Sequence, residues 1–301
     1  MEFQKLDIDL LKTMPLPDWG DDANKGTRGK LLLIGGSARL PGAAILAARA
    51  ALRCGCGTVR LAAPQSVAIQ IGIAVPELMV IPLPETSDGT IARTALDIIA
   101  EQFKACQALV LGPGLDENYE TDALSCEIAA TSPLPTVIDA QALTALGTKA
   151  KMGEAPRVLT PHVVEFEALS GKEAIEDERV KIAHDFATKV GATLVLKGRE
   201  SVIASPKAEP VQNEAGSRAL GTAGSGDVLA GIIGSFLAQG LTAHQAAVWG
   251  VHFHALAGEA VAKDGGEDGV MACDFIERLP SIQKYLRRLT HSDKKGGFGL
   301  R

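Results

Sequence analysis

Short apolar runs that end in glycine or a polar residue, each followed by a helix-forming segment, recur along this chain and limit its fold more than any other feature. Lys30-Leu31-Leu32-Leu33-Ile34 runs into Gly35-Gly36 and then into 42–54, GAAILAARAALRC, a segment of small residues with high helix propensity. The pattern returns with a strand over 58–62 and a helix over 65–72, then a strand over 78–81 and a helix near 91–103. Ala108–Leu111 ends in Gly112-Pro113-Gly114-Leu115, 135–139 closes on a carboxylate, and 157–160 closes on Pro161-His162. A helix over 177–190 precedes two β-rich runs, 193–197 and 201–204, whose glycine-containing link predicts a hairpin at the far edge of the sheet. Helices over 227–239 and 243–263 follow, and the polar, glycine-rich 291–301 reads as a disordered tail.

Strands alternating with helices predict an α/β chain: a mostly parallel central sheet covered on both faces, a three-layer αβα sandwich. No linker divides it, so 1–301 is expected to form one domain, with a core of about 25–285 after a polar opening segment. In such sheets a ligand lies beyond the carboxyl ends of the strands. Gly35-Gly36-Ser37, Gly112-Pro113-Gly114, Asp139, Thr160-Pro161-His162 and Lys197-Gly198 all fall there.

The densest chemistry lies in 213–240, where Gly221-Thr222-Ala223-Gly224-Ser225-Gly226-Asp227 runs straight into an apolar helix. A helix beginning near Gly226 aims unpaired N–H groups at whatever sits in front of it, which makes an anion site. Gly221 to Gly226 has the spacing of half a P-loop, but Asp227 stands where a P-loop needs Lys, so this is not that motif. A carboxylate beside a phosphate cradle suits a proton acceptor for a hydroxyl attacking a phosphoryl group. The plainer alternative is an N-capping Asp that complements the helix dipole.

With 46% hydrophobic and 22% charged residues among 301, the chain can bury a large core. A net charge of -6 argues against a general binder of nucleic acid or anionic membranes. The N-terminus lacks the basic start and apolar run of a secretory signal, and no apolar run approaches the roughly 20 residues of a spanning helix, so a cytoplasmic location is expected. Five scattered cysteines read as small core residues, and His252 and His254, two apart on a helix, face different ways and make a poor metal pair.

Taken together, GGSARLPGAA, PELMV, VLGPGL, VIDAQAL, TPHVVEFEAL, VLKGRESVIAS and an N-x-x-G ahead of GTAGSGDVLAGIIGSFLAQG follow one pattern in order. From about Lys25 to Leu279 the chain resembles the ADP-dependent NAD(P)H-hydrate dehydratases of the ribokinase-like superfamily. It departs from their pattern at Gln141, Val163-Val164, Glu214 and Arg218.

The resemblance implies a ribokinase-like fold and a hydro-lyase. The substrate would be the 6S hydrate of NADH or NADPH (NADHX, NADPHX), phosphorylated on its C6 hydroxyl by ADP or ATP and then relieved of phosphate. It implies Asp227 as the base. Ala43, Gly114, His162 and Asp227 would line the hydrate pocket, and Lys197, Gly198, Arg199, Glu200, Ser201 and Gly226 would hold the adenine nucleotide. Mg²⁺ is expected through the nucleotide's own phosphates, with its protein ligands unassigned. Asp139 and Glu165 could touch its water shell, though surface or capping roles explain both. A homotetramer and a separate epimerase are implied as partners.

Two other readings share the loop. One is a ribokinase-like kinase of a vitamin precursor, against which stand Thr160-Pro161-His162 and the paired GGS and GPG turns. The other is a non-catalytic adenine-nucleotide binder, against which stands Asp227.

Overall fold

A computed structural model describes residues 1–20, 23–149 and 151–291; of the expected tail, 291–301, His291 is the last residue of a helix and the rest lies outside the described residues. The strands are β1 (Gln4–Lys5), β2 (Lys30–Ile34), β3 (Thr58–Pro64), β4 (Met79–Leu83), β5 (Ala108–Leu111), β6 (Thr136–Ile138), β7 (Arg157–Leu159), β8 (Thr193–Leu196), β9 (Ser201–Ser205) and β10 (Ala208–Asn213). Between them run α1 (Ile8–Lys12), α2 (Pro41–Arg53), α3 (Gln65–Ala74), α4 (Leu96–Phe103), α5 (Tyr119–Thr131), α6 (Gln141–Leu146), α7 (Val163–Ser170) and α8 (Arg179–Val190). Three helices close the chain: α9 (Ser225–Ala238), α10 (Ala243–Gly265) and α11 (Ala272–His291).

All the described strands join one sheet in the order β1-β10-β9-β8-β7-β6-β5-β2-β3-β4. Neighbours from β8 to β4 pair parallel, β9 runs against both of its partners, and β1 lies parallel to β10. The mostly parallel sheet is therefore as expected, and the 193–204 hairpin exists. It does not stand at the edge, however, because β10 and β1 continue the sheet beyond it. Their signals are weak for physical reasons: β10 carries Pro210 inside a register shift between Ala208 and Val211, and β1 is short and polar.

The uninterrupted apolar strands are explained by two cores. Leu31 and Leu33 of β2 point into one with Val110, Val137, Val158 and Val195. Leu32 and Ile34 point into the other with Leu109, Leu111, Ile138 and Leu159. Alternate residues of each strand thus feed opposite faces, so neither face can be polar. Buried residues of α2, α9, α10 and α11 cover the first core, and those of α4 to α8 cover the second.

The opening segment, polar by sequence, also reaches the first core: Leu6, Leu11 and Leu16 are buried there, and the Trp249 indole donates to the Met14 carbonyl at 2.6 Å. Helices α5 and α11 carry no expectation from the sequence. In α11, Phe275, Ile276, Leu279, Ile282 and Leu286 are buried at helical spacing, and the helix continues through Pro280. No helix among the described residues is long and apolar enough to cross a membrane.

Candidate active site

The glycine loop ends where the backbone reverses at Gly224, whose φ of +86 places it in the left-handed region as the N-cap of α9. Ser225 opens the helix, so Asp227 is the third helical residue, in the first turn but not at the cap. No side chain hydrogen-bonds at that cap, so Asp227 is not the N-cap of α9, while as a first-turn carboxylate it still complements the helix dipole. The loop is anchored by Thr222 Oγ1, which donates to the Val270 carbonyl at 2.9 Å, and by Ser225 Oγ, 2.9 Å from His254 Nε2.

In front of α9 stands Lys197, at the carboxyl end of β8. Its Nζ lies 3.1 Å from Asp139 Oδ1 and 3.6 Å from Glu165 Oε2. Asp139 follows β6, is only 2% exposed, and also accepts from Thr160 Oγ1 at 2.7 Å. It is therefore no surface charge, as one of its sequence readings would have it. The next residue, Ala140, has φ +50, the one positive value at a non-glycine residue among those described, and such a conformation costs about 1–3 kcal/mol. Gly226 fits against the ion pair: a Cβ there would sit 3.4 Å from Lys197 Nζ and 3.9 Å from Asp139 Oδ2.

Three carboxylates around one ammonium set the electrostatics. Burial raises the Asp227 carboxyl first, the negative Asp139 and Glu165 raise it further, and Lys197 opposes them, leaving it at about 7. Burial pulls the Lys197 ammonium down, but Asp139, Glu165 and Asp227 outweigh it, so its pKa is raised and it stays charged. A carboxylate that titrates near neutrality, beside a row of helix N–H groups, can take a proton from a hydroxyl while the helix end holds an anion.

A second group of small residues forms the adjoining wall. Gly36 N–H donates to the Pro113 carbonyl at 2.8 Å, which ties the GGS and GPG turns together. Gly114, at φ +74, has no room for a side chain: a Cβ would press on the Leu40 carbonyl and come 3.1 Å from the Ala43 Cβ. Leu46, one turn along α2 from Ala43, closes on Gly224, so one face of α2 joins the two groups.

His162 caps α7 in a reciprocal box: its Nδ1 accepts from Glu165 N–H at 3.2 Å, and Glu165 Oε2 accepts from His162 N–H at 2.8 Å. In the neutral ring the hydrogen therefore sits on Nε2, 3.6 Å from Glu165 Oε1. Glu165 both caps and reaches Lys197, which brings His162 to the rim of the cluster.

Arg199, Glu200 and Ser201 stay outside that cluster. The turn 198–200 is exposed, Glu200 accepts from Gln212 on β10, and Ser201 Oγ donates to the Gly198 carbonyl at 3.4 Å. Buried Arg179 donates to the Leu196 and Lys197 carbonyls at 3.4 and 3.3 Å and fixes this turn from beneath. Sequence reasoning placed Thr160 at the ligand edge but missed Arg179, His254 and the Ser225–His254 pairing as participants, because each acts across elements far apart in the chain.

The departures from the family pattern find partners of their own: Glu214 pairs with Lys5, Arg218 with Glu267, and Gln141 donates to Asp122 at 3.0 Å.

No group of three or more His, Cys, Asp or Glu among the described residues is arranged to hold a metal ion. Asp139 and Glu165 both turn toward Lys197. A large cleft of about 970 Å³, lined by Trp19, Arg28 and Lys284 among others, lies elsewhere and includes none of these groups.

A family model described as NAD(P)H-hydrate dehydratase matches residues 31–281. The chain belongs to the NAD(P)H-hydrate dehydratase family. An ADP-dependent (S)-NAD(P)H-hydrate dehydratase of Xanthomonas campestris pv. campestris is 41% identical over 92% of this chain and 95% of its own. An ADP/ATP-dependent NAD(P)H-hydrate dehydratase of Bacillus subtilis, co-crystallised with ATP/Mg²⁺, superposes with a TM-score of 0.81 at 27% identity, covering 95% of this chain and 99% of that one. A ribokinase-like superfamily protein of Enterococcus faecalis V583 superposes equally well, at 0.81 and 26% identity over 94% and 96% of the two chains, so the ribokinase-like fold is as expected. The chain spans about half the length of other curated members it matches, named bifunctional NAD(P)H-hydrate repair enzymes.

Proposed function

We propose that the chain, as one domain over 1–301, is an ADP-dependent (S)-NAD(P)H-hydrate dehydratase that returns the 6S hydrate of NADH or NADPH to the reduced cofactor. The observation that carries this reading is Asp227, a first-turn carboxylate raised to about 7 behind a glycine loop. The 41% identity to a protein of that name supports it.

Hydroxide leaves a ring poorly, and phosphate leaves well. Asp227 accepts the proton of the C6 hydroxyl as that oxygen bonds to the terminal phosphorus of ADP, whose bond to the bridging oxygen breaks to release AMP. N–H groups at the start of α9 stabilise the charge on the phosphoryl oxygens. The ring nitrogen lone pair then expels phosphate, and loss of the C5 proton restores the dihydronicotinamide. Gly226 lets the phosphoryl group approach the backbone, while Ala43, Gly114 and His162 receive the hydrate. Lys197 and the 198–201 turn hold the nucleotide. Mg²⁺ would arrive on the nucleotide's phosphates and neutralise their charge; the Bacillus subtilis protein was crystallised with ATP/Mg²⁺.

A homotetramer, a cytoplasmic location and a separate epimerase for the 6R form complete the reading. The bifunctional names of longer relatives support the last of these.

The test follows the absorbance of reduced nicotinamide after protein, Mg²⁺ and ADP or ATP are added to purified 6S hydrate. Recovery of the band with stoichiometric AMP and phosphate from ADP is the expected result. A phosphorylated product that persists would instead make the chain a small-molecule kinase.

A further inference from the structure

His254 lies on α10, far from Ser225 in sequence, yet its Nε2 sits 2.9 Å from Ser225 Oγ. Ser225 is the first residue of α9 and only 4% exposed, so its hydroxyl belongs to the same helix end whose N–H groups form the anion site. The imidazole is packed edge-on against Phe275, with ring centroids 6.0 Å apart, which fixes its orientation. Burial holds it neutral, at about 4, although hydrogen bonding to the Ser225 backbone raises it; the Lys197 charge lowers it further, so His254 lies within electrostatic reach of the cluster. A neutral ring presents one donor and one acceptor nitrogen.

Phosphoryl oxygens only accept hydrogen bonds, so a serine that serves them must donate its single hydrogen outward and accept from its other partner. That condition selects the His254 tautomer with hydrogen on Nε2. We infer that His254 is a positioning residue that donates to Ser225 Oγ and so aims the Ser225 hydroxyl at the terminal phosphoryl group of the bound nucleotide. This rests on the reading of the α9 end as the phosphoryl site.

The experiment measures ADP and AMP affinity by calorimetry for the wild-type chain, Ser225→Ala, His254→Leu and His254→Gln. Glutamine can return an N–H to the place of Nε2; leucine cannot. The expected result is an ADP-over-AMP preference reduced about tenfold by Ser225→Ala and His254→Leu, restored in His254→Gln, and no worse in the Ser225→Ala/His254→Leu double variant. A merely structural histidine would lower the melting temperature in both His254 variants and leave the preference unchanged, which would overturn the inference, as would additive losses in the double variant. No ADP binding by the wild-type chain would overturn it too. The expected loss of preference in Ser225→Ala and His254→Leu, together with no hydrate turnover by the wild-type chain, would uphold the inference while rejecting the dehydratase, so the two failures are distinguishable.

Discussion

Raised to about 7, the Asp227 carboxyl holds its proton to far higher pH than an ordinary carboxylate, which has lost it by neutrality. A base must be unprotonated, so kcat/KM, which reports the ligand-free protein, is expected to rise with pH through a midpoint near 7, read from a pH–rate profile. The stability sign is opposite. Between about pH 4 and 7 the folded chain retains a proton that the unfolded chain has released, so stability falls as pH rises through that window. Asp227→Asn is therefore expected to melt higher than wild type at pH 8 while losing at least about a thousandfold in turnover. Wild-type turnover in that variant would take Asp227 out of its role. Asp139→Asn removes a negative neighbour that raises Asp227, and the profile midpoint is expected to move to lower pH. An unmoved midpoint would mean that the two carboxylates do not communicate. At this scale the sequence disclosed Asp227 and its glycines, since loop, carboxylate and helix are contiguous. It could not disclose the Lys197–Asp139 pair or the Ser225–His254 pair, whose members meet only after β6, β8, α9 and α10 are packed.

Among the elements, α2 and α9 carry the tightest constraint. A Cβ on Gly231 would overlap the Ala47 carbonyl, and the facing positions of α2 are Ala44, Ala47, Ala48 and Ala51, all fully buried. Helix propensity alone favours Gly→Ala by about 1 kcal/mol, but overpacking against a fixed backbone costs about 1–3 kcal/mol and is expected to win. Gly231→Ala should therefore lose about 1 kcal/mol in urea unfolding, and a gain would show that α2 can retreat. Elements with one clean signal were legible: β2, β5 and α9 are continuous apolar stretches because both faces, or nearly the whole helix surface, are buried. Elements with a conflicting residue were not, as Pro210 in β10 and Pro280 in α11 illustrate. In both, tertiary contacts override a local preference.

For the molecule as a whole, the sequence predicted the layered α/β architecture, because strands that are apolar on both faces and alternate with helices leave few other ways to bury both faces. It understated how far the N-terminal segment participates. Leu11 is fully buried among residues of the first core, and Met14 receives the Trp249 indole hydrogen bond. Leu11→Ala is expected to cost about 3 kcal/mol in chemical denaturation, in the range of other buried leucines. A cost below about 0.5 kcal/mol would mean that the segment rests on the core without bracing it.

β9 runs against its neighbours, so the link from β8 is a simple turn that stands on the same edge as the carboxyl ends of the parallel strands. A parallel crossover at that place would need a dozen or more residues and usually a helix, whereas a turn changes length at small entropic cost. Residues 198–200 are exposed and adjoin Lys197. Gly198 is tied to the αβα frame, since a Cβ there would overlap the Arg179 guanidinium, whereas Arg199 and Glu200 are exposed, which makes those two positions the first place to build a library for directed evolution.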